Sequence, residues 1–271
     1  MKLAIQPLFS GSSGNSILIE SAHTTLLVDA GMSAAAITKA LKAHGKSPEE
    51  IDGILLTHEH TDHISGVNQL CKRYGLALYA NANTYQGMEA KMQDVPIGQA
   101  RVFTTGEDFY VQDIAIHAFP IPHDAAEPVG YALYAAGAKV CVATDMGHMP
   151  KRILQELEGA NALVLESNHD LELLKNGKYP QFLKRRILSN KGHLSNDMAA
   201  QAAVALAQTG TRQIILGHLS SENNREPIAE RTVCEQLRAQ GAVVGSDVCV
   251  HVAHKAEGSA RIVVEIGRAH V

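Results

Sequence analysis

Six consecutive residues, His58-Glu59-His60-Thr61-Asp62-His63, place three imidazoles and a carboxylate directly after an apolar run. Positions 58 and 60 lie two apart at the end of an extended segment and so project to the same side. Asp62 and His63 fall where the chain turns into a helix, facing a second point nearby. Imidazole nitrogen and carboxylate oxygen suit zinc, manganese or iron, and two such ions ~3.5–4 Å apart form a hydrolytic clamp. A centre of that kind needs ligands from further along the chain, and three stand at the ends of apolar segments. His123 follows Phe119-Pro120-Ile121-Pro122, Asp145 follows Val140-Cys141-Val142-Ala143-Thr144, and His218 follows Ile214-Ile215-Leu216-Gly217. His117 rivals His123, but its place in an alternating stretch with Ile114, Ile116 and Ala118 assigns it to a strand.

The elements that must position these residues are read from periodicity and punctuation. Strands are expected over 2–9, 17–19, 25–28 and 51–57, the last running straight into His58. Ser33 caps a helix through residue 43, with Ile37 and Leu41 on one face and Gly45 past its end. A second helix is expected over 64–73. Further strands are expected over 77–79, 109–119, 131–134, 139–143, 162–165 and 213–216. Helices are expected over 150–157, 197–207 and 227–239, and two strands close the chain. Strands arrive in runs with helices between the runs, which reads as a layered α/β sandwich and not a regular βαβ array.

The chain has 271 residues with 45% hydrophobic and 19% charged residues, ordinary for a folded domain. Without linker, repeat or low-complexity stretch, residues 1–265 are expected to form one domain. The last six residues, Ile266-Gly267-Arg268-Ala269-His270-Val271, resemble a translated sequencing adapter and are set aside as a non-native tail. No apolar run approaches the ~20 residues of a membrane span. The N-terminus lacks the features of a signal peptide, so a cytoplasmic location is expected. Cys71, Cys141, Cys234 and Cys249 are scattered, against both a disulfide framework and a thiolate zinc site. A net charge of −4 leaves no global basic face, so any nucleic-acid contact must be local. The fourteen histidines are the compositional excess. His23, His44, His148, His251 and His254 are given no function.

The hexapeptide His58 to His63, with Asp29, His123, Asp145 and His218 in order, resembles the metallo-β-lactamase superfamily. That likeness implies a four-layer αββα sandwich. Five further stretches narrow it: Gly11-Ser12-Ser13-Gly14-Asn15-Ser16, His123-Asp124-Ala125, Glu166-Ser167-Asn168-His169-Asp170, Gly192-His193-Leu194-Ser195-Asn196, and Gly217 through Asn224. Together they resemble the bacterial YycJ/WalJ-like branch, described as 5′-to-3′ DNA exonucleases related to the RNase Z type. The likeness runs from about Leu3 to Val264. It implies that His58, His60 and His123 hold one metal, that Asp62, His63 and His218 hold the other, and that Asp145 bridges them. Asp29 is then expected to orient a ligand without binding metal.

On this reading a water shared by two divalent ions loses its proton near neutral pH and becomes the nucleophile. His193 is the candidate acid for the leaving oxygen, as in RNase Z-like enzymes, with Glu166 holding its imidazole cationic. Asp62 counts with them in the catalytic set as well as among the ligands. Lys178, Lys184, Arg185, Arg186 and Lys191 form a basic strip between Glu166 and His193, suited to a phosphate backbone. Lys184, Arg185, Arg186, His169 and Asn223 are the candidate substrate contacts. The glycine-serine loop at 11–14 has amides that suit a phosphate but lacks the lysine of a Walker A motif, so no nucleotide cofactor is expected.

Three functions follow: a metal-dependent DNA exonuclease, a small-molecule hydrolase acting on a cyclic phosphodiester, thioester or lactam, and a non-catalytic relative with a vestigial site. The filled ligand positions disfavour the third. The basic strip and the Glu166/His193 pair favour the first.

Overall fold

The computed structural model describes residues 2–91, 97–256 and 258–265; the adapter-like tail at 266–271 lies outside them. Its strands in chain order are β1 (Lys2–Phe9), β2 (Ser16–Glu20), β3 (Thr25–Val28), β4 (Gly53–Leu55), β5 (Ala77–Asn81), β6 (Ala100–Phe103), β7 (Asp108–Val111), β8 (Ile114–Pro120), β9 (Val129–Ala135), β10 (Ala138–Ala143), β11 (Ala162–Glu166), β12 (Gln213–Gly217), β13 (Cys249–Val252) and β14 (Ile262–Glu265). The α-helices are α1 (Ala34–Ala43), α2 (Thr61–Ile64), α3 (Val67–Tyr74), α4 (Ala82–Glu89), α5 (Lys151–Leu157), α6 (Leu171–Asn176), α7 (Gln181–Ile187), α8 (Asn196–Gln208) and α9 (Glu226–Ala239).

Two seven-stranded sheets form, ordered β14-β1-β2-β3-β4-β5-β6 and β13-β12-β11-β10-β9-β8-β7. In each, an antiparallel half gives way to a parallel half, at β3–β4 in the first and at β10–β11 in the second. The sheets face each other across a core that includes Leu26, Val28 and Leu55 from one side and Tyr131, Val140, Val142, Val164 and Ile215 from the other. Side chains alternate across a strand, so the intervening residues point outward to helices. Leu27 and Ile54 meet Ile37 and Leu41 of α1 and Val67 and Leu70 of α3. Cys141, Leu163, Ile214 and Leu216 meet Ile153 of α5, Ala199, Ala203 and Leu206 of α8, and Val233 and Leu237 of α9. Strands buried on both faces carry unbroken apolar runs such as Ile54-Leu55-Leu56. This is the layered α/β sandwich expected from the strand pattern, in the αββα order that the family resemblance implied.

The single strand expected over 109–119 is two. Gln112, with φ of 48°, turns the chain between β7 and β8, which pair antiparallel. Helices α4, α6 and α7 and strand β6 were not expected. They are short, and their apolar residues are too few for a periodic signal. The expected helix over 64–73 starts earlier and breaks at Ser65-Gly66, between α2 and α3. Among the described residues no helix is long and apolar enough to cross a membrane, and the four cysteines are free thiols.

Candidate metal centre

Parallel strands deliver their C-terminal ends to one rim, and loops there hold the polar residues. Asp29 directly follows β3, His58 lies three residues past β4, Asp145 two past β10, and His218 directly follows β12. Asp29, Asp145 and His218 have φ of 62°, 59° and 55°. Left-handed backbone at a non-glycine residue costs of order 1–3 kcal/mol and persists where surrounding contacts over-determine it. Here the His218 amide donates to Ser10 Oγ at 2.8 Å and the Asp29 amide to the Leu55 carbonyl at 2.8 Å. The loops also touch through backbone: a Cβ on Gly31 would lie 1.7 Å from the Asp62 carbonyl oxygen. Only glycine permits the chain after β3 to lie against the start of α2, where Asn15 donates to the Asp62 carbonyl at 2.8 Å.

Four ring nitrogens are anchored to protein, which fixes where their other nitrogens point. His63 Nδ1 is 2.7 Å from Asp29 Oδ2, and a carboxylate only accepts, so this nitrogen donates. Thr57 Oγ1 donates to Asp29 Oδ2 at 2.8 Å and so accepts from His58 Nδ1 at 3.0 Å. His123 Nδ1 donates to the Gly192 carbonyl at 3.2 Å, and His218 Nδ1 to Glu166 Oε1 at 2.9 Å. The Nε2 atoms of His58, His63, His123 and His218 are thereby turned to one space. His63 Nε2 lies 3.3 Å and His218 Nε2 3.4 Å from the Asp145 carboxylate, and both lie 3.6 Å from Asp62 Oδ2. His60 Nδ1 approaches His123 Nε2 at 3.3 Å.

Donor atoms of His58, His60 and His123 lie within 4.8 Å of one another, as do those of Asp62, His63 and His218. Asp145 belongs with His58 and His63 in one further group and with Glu166, His193 and His218 in another. Three buried donors here, His58 Nε2, Asp145 Oδ2 and His218 Nε2, have no hydrogen-bond partner. Orphaned buried polar atoms are costly, and three converging on one space is what a cation site leaves when the cation is not counted. Nitrogen and oxygen donors without a thiolate suit a divalent ion.

The charges agree. Burial, with the His63 charge beside it, holds His58 well below the usual imidazole range, and burial also lowers His60 and His123. Neutral imidazoles are ready ligands. In the other group burial opposes a proton, yet Asp29, Asp145 and Asp62 push His63 well above its usual range. His218 is likewise raised to about 10, against burial, by Asp145, Asp62 and Glu166. The protein alone therefore keeps protons on His63 and His218 to balance its carboxylates, a balance that cations would take over.

Asp29 touches no donor cavity atom except through His63 and Thr57, whose amide it also accepts at 2.9 Å. Asparagine tolerates the same backbone but presents an N–H where Thr57 and His63 both donate. Asp29→Asn is expected to weaken metal binding by about 10–100-fold, the usual cost of losing such a support. Titration against a competing chelator measures it; unchanged affinity would remove Asp29 from the ligand scaffold.

A cavity of about 250 Å³ opens over the donors, lined by His60, Asp62, His123, Asp145, His193 and His218 from the centre. Tyr179, Leu183, Arg186 and Ile187 from the α6–α7 segment close one side, with Ser12, Asn168 and Ser220 completing it. His193 Nδ1 donates to Glu166 Oε1 at 2.8 Å. Glu166 is fully buried and saturated: His193 and His218 share Oε1, while the Met146 and Leu194 amides donate to Oε2. Burial opposes its ionisation, but His193 and His218 lower its pKa to about 2. Its link to His218 was not legible in the sequence.

Of the expected substrate contacts, Arg186 alone lines the cavity. It grips Asp124 through Nε and Nη2 at 2.6 and 2.9 Å. Lys184 is placed otherwise than the basic strip implied: it is buried, and its ammonium donates to the Lys175 carbonyl at 2.7 Å. Arg185 is exposed on α7 beyond the cavity lining. His169 and Asn223 are buried outside that lining. Burial lowers His169 to about 4, so it is a neutral ring. Asn223 braces the loop after β12, its carbonyl accepting from the Asp170 amide at 2.9 Å. Tyr179 carried no sequence signal, whereas Ser12 comes from the glycine-serine loop and Ser220 from the stretch at 217–224; folding brings all three to the rim. His117 belongs to none of the donor groups; it sits within β8 with its Nδ1 on Asp108 at 2.6 Å.

Comparison with known proteins agrees with this architecture. Residues 24–219 match the family model described as the beta-lactamase superfamily domain. The chain is 39% identical over 251 residues to the exodeoxyribonuclease YycJ of Bacillus anthracis, covering 93% of this chain and 95% of that one. It is 42% identical over 246 residues to the exodeoxyribonuclease WalJ of Streptococcus pneumoniae serotype 2, covering 90% and 91%. Among solved structures, the metallo-β-lactamase fold protein YhfI of Bacillus subtilis superposes with a TM-score of 0.72 at 17% identity, over 95% of this chain and 99% of that one. The short form of human tRNase Z superposes with a TM-score of 0.65 at 16% identity, over 97% and 99%. With two sheets, the hexapeptide at their shared rim and whole-length relatives, the chain belongs to the metallo-β-lactamase superfamily, in the family of the YycJ and WalJ proteins.

Proposed function

We propose that this chain is a dinuclear-metal phosphodiesterase that degrades DNA as a 5′-to-3′ exonuclease. The observation that carries the reading is the pairing of two donor groups around Asp145 with a carboxylate-anchored imidazole, His193, in one cavity. The exodeoxyribonuclease relatives at 39–42% identity support the choice of DNA. His58, His60 and His123 would hold one cation, Asp62, His63 and His218 the other, and Asp145 both; zinc or manganese suits these donors, with iron the further option. When bound, the two cations supply an activated water and neutralise charge on a phosphodiester.

The chain's own residues supply the rest. Glu166 accepts the hydrogen bond from His193 Nδ1–H, which leaves Nε2 as the proton donor for the departing oxygen. A saturated, ionised Glu166 keeps that orientation. Arg186, steadied by Asp124, offers its remaining guanidinium N–H groups to a non-bridging phosphate oxygen. Arg185, on the outer face of α7, is placed for the next phosphates along the strand, a screened and salt-sensitive contact.

Purified protein with manganese or zinc should release mononucleotides from 5′-labelled DNA, faster than from RNA of the same sequence. Turnover of bis-p-nitrophenyl phosphate without polymer cleavage would overturn the nuclease reading, and release from the 3′ end would overturn the polarity.

A further inference from the structure

The α6–α7 segment carries an aromatic residue that the centre does not use. Phe182 is 68% exposed. It lies one residue before Leu183 and four before Arg186, both in the cavity wall, and three after Tyr179, also in that wall. On a helix, residues three and four apart are surface neighbours, so Phe182 lies beside Arg186 of the cavity wall and beside Arg185, exposed beyond that wall. Lys178, Arg185 and Lys191, before, on and after the same helix, are also exposed. An uncovered phenyl ring among cations suits a ligand with both flat apolar faces and regular negative charge.

The segment is also built as part of the centre. A Cβ on Gly192 would lie 2.3 Å from the Arg186 carbonyl oxygen and 2.1 Å from that of Ile187, so the loop bearing His193 packs on the end of α7. The Arg186–Asp124 pair ties α7 to the residue after His123 on the other side. The helix that carries the ring is therefore tied to the loops of both His193 and His123.

From this placement we propose that Phe182, with Tyr179 inside the cavity, forms a stacking platform for the bases of a single-stranded DNA end, while Arg186 and Arg185 take its phosphates. The inference rests on the nuclease reading and adds what the enzyme grips: unpaired bases, by their faces and without regard to sequence. Stacking on an aromatic side chain is sequence-tolerant because every base has a π-face, and alanine substitution costs about 5- to 150-fold per base. A paired base inside a duplex has both faces covered by its neighbours and cannot use the platform.

The test compares a single-stranded oligonucleotide with the same strand made abasic over its first few 5′ nucleotides, by kcat/KM with manganese. Wild-type protein should favour the intact strand by about 5- to 150-fold. That ratio should fall towards one in Phe182→Ala and recover in Phe182→Trp. Equal ratios in wild type and Phe182→Ala, or a wild-type ratio of one, would overturn the platform while leaving the nuclease reading in place. Failure of wild-type protein to cleave either strand would overturn the nuclease reading itself.

Discussion

Asp145→Asn is expected to lower kcat/KM on DNA by about 1,000-fold, the rate equivalent of the several kcal/mol that charge stabilisation at such a centre supplies. Metal content should fall with it. Asparagine has nearly the shape of aspartate and is as tolerant of a φ of 59°, so the loop after β10 keeps its path. What is lost is the charge. Asp145 is fully buried, and although burial opposes its ionisation, His218 and His63 hold its pKa well below the carboxylate range. Its carboxylate lies within reach of His63, His123 and His218 at 3.3, 3.9 and 3.4 Å, so no neighbour can replace it for both donor groups. Metal analysis by mass spectrometry and circular dichroism separate loss of cation from loss of fold. A variant with full activity and full metal content would end the dinuclear reading.

The second large effect is expected at His193. His193→Ala should reduce kcat on DNA by about 100- to 10,000-fold, the range for a positioned general acid, with metal content retained. A proton donor matters in proportion to the basicity of what leaves. Bis-p-nitrophenyl phosphate, whose nitrophenolate needs no proton, should therefore lose much less than DNA in the same variant. Equal losses on both substrates would contradict acid catalysis. Loss of metal would move His193 into the ligand set, since its donor atom lies within 4.8 Å of those of Asp145, Glu166 and His218.

Much of this candidate centre is legible without the fold because its donor residues come in a local pattern. A strand that ends in a tight loop can turn two side chains at alternate positions to one side and further ones at the next turn, so the donors from His58 to His63 fit into six residues. The same logic pointed to His123, Asp145 and His218, each just past an apolar segment, and the structure brings their donor atoms to the same cavity. The supports were harder to find. Glu166 was assigned to His193 alone, whereas it also orients His218, 52 positions away. The basic strip between Glu166 and His193 looked uniform in sequence, yet Lys184 is turned inward to the Lys175 carbonyl and Arg186 is clasped by Asp124. A helix of seven residues sends neighbouring cations to opposite sides, and local composition carries no record of which side faces the cavity.

The sequence by itself determined a layered α/β sandwich and the kind of chemistry, while the four-layer order followed from the family resemblance. Doubly buried strands must be continuously apolar, and clustered imidazoles at their ends have few other uses. Tertiary structure alone decided which nitrogen of each ring faces the centre, through Asp29, Thr57, Gly192 and Glu166, and which residues wall the cavity. Those outcomes depend on hydrogen bonds and close backbone approaches between segments far apart in the chain. Such contacts are set by how two sheets and their loops pack, and no local pattern encodes them.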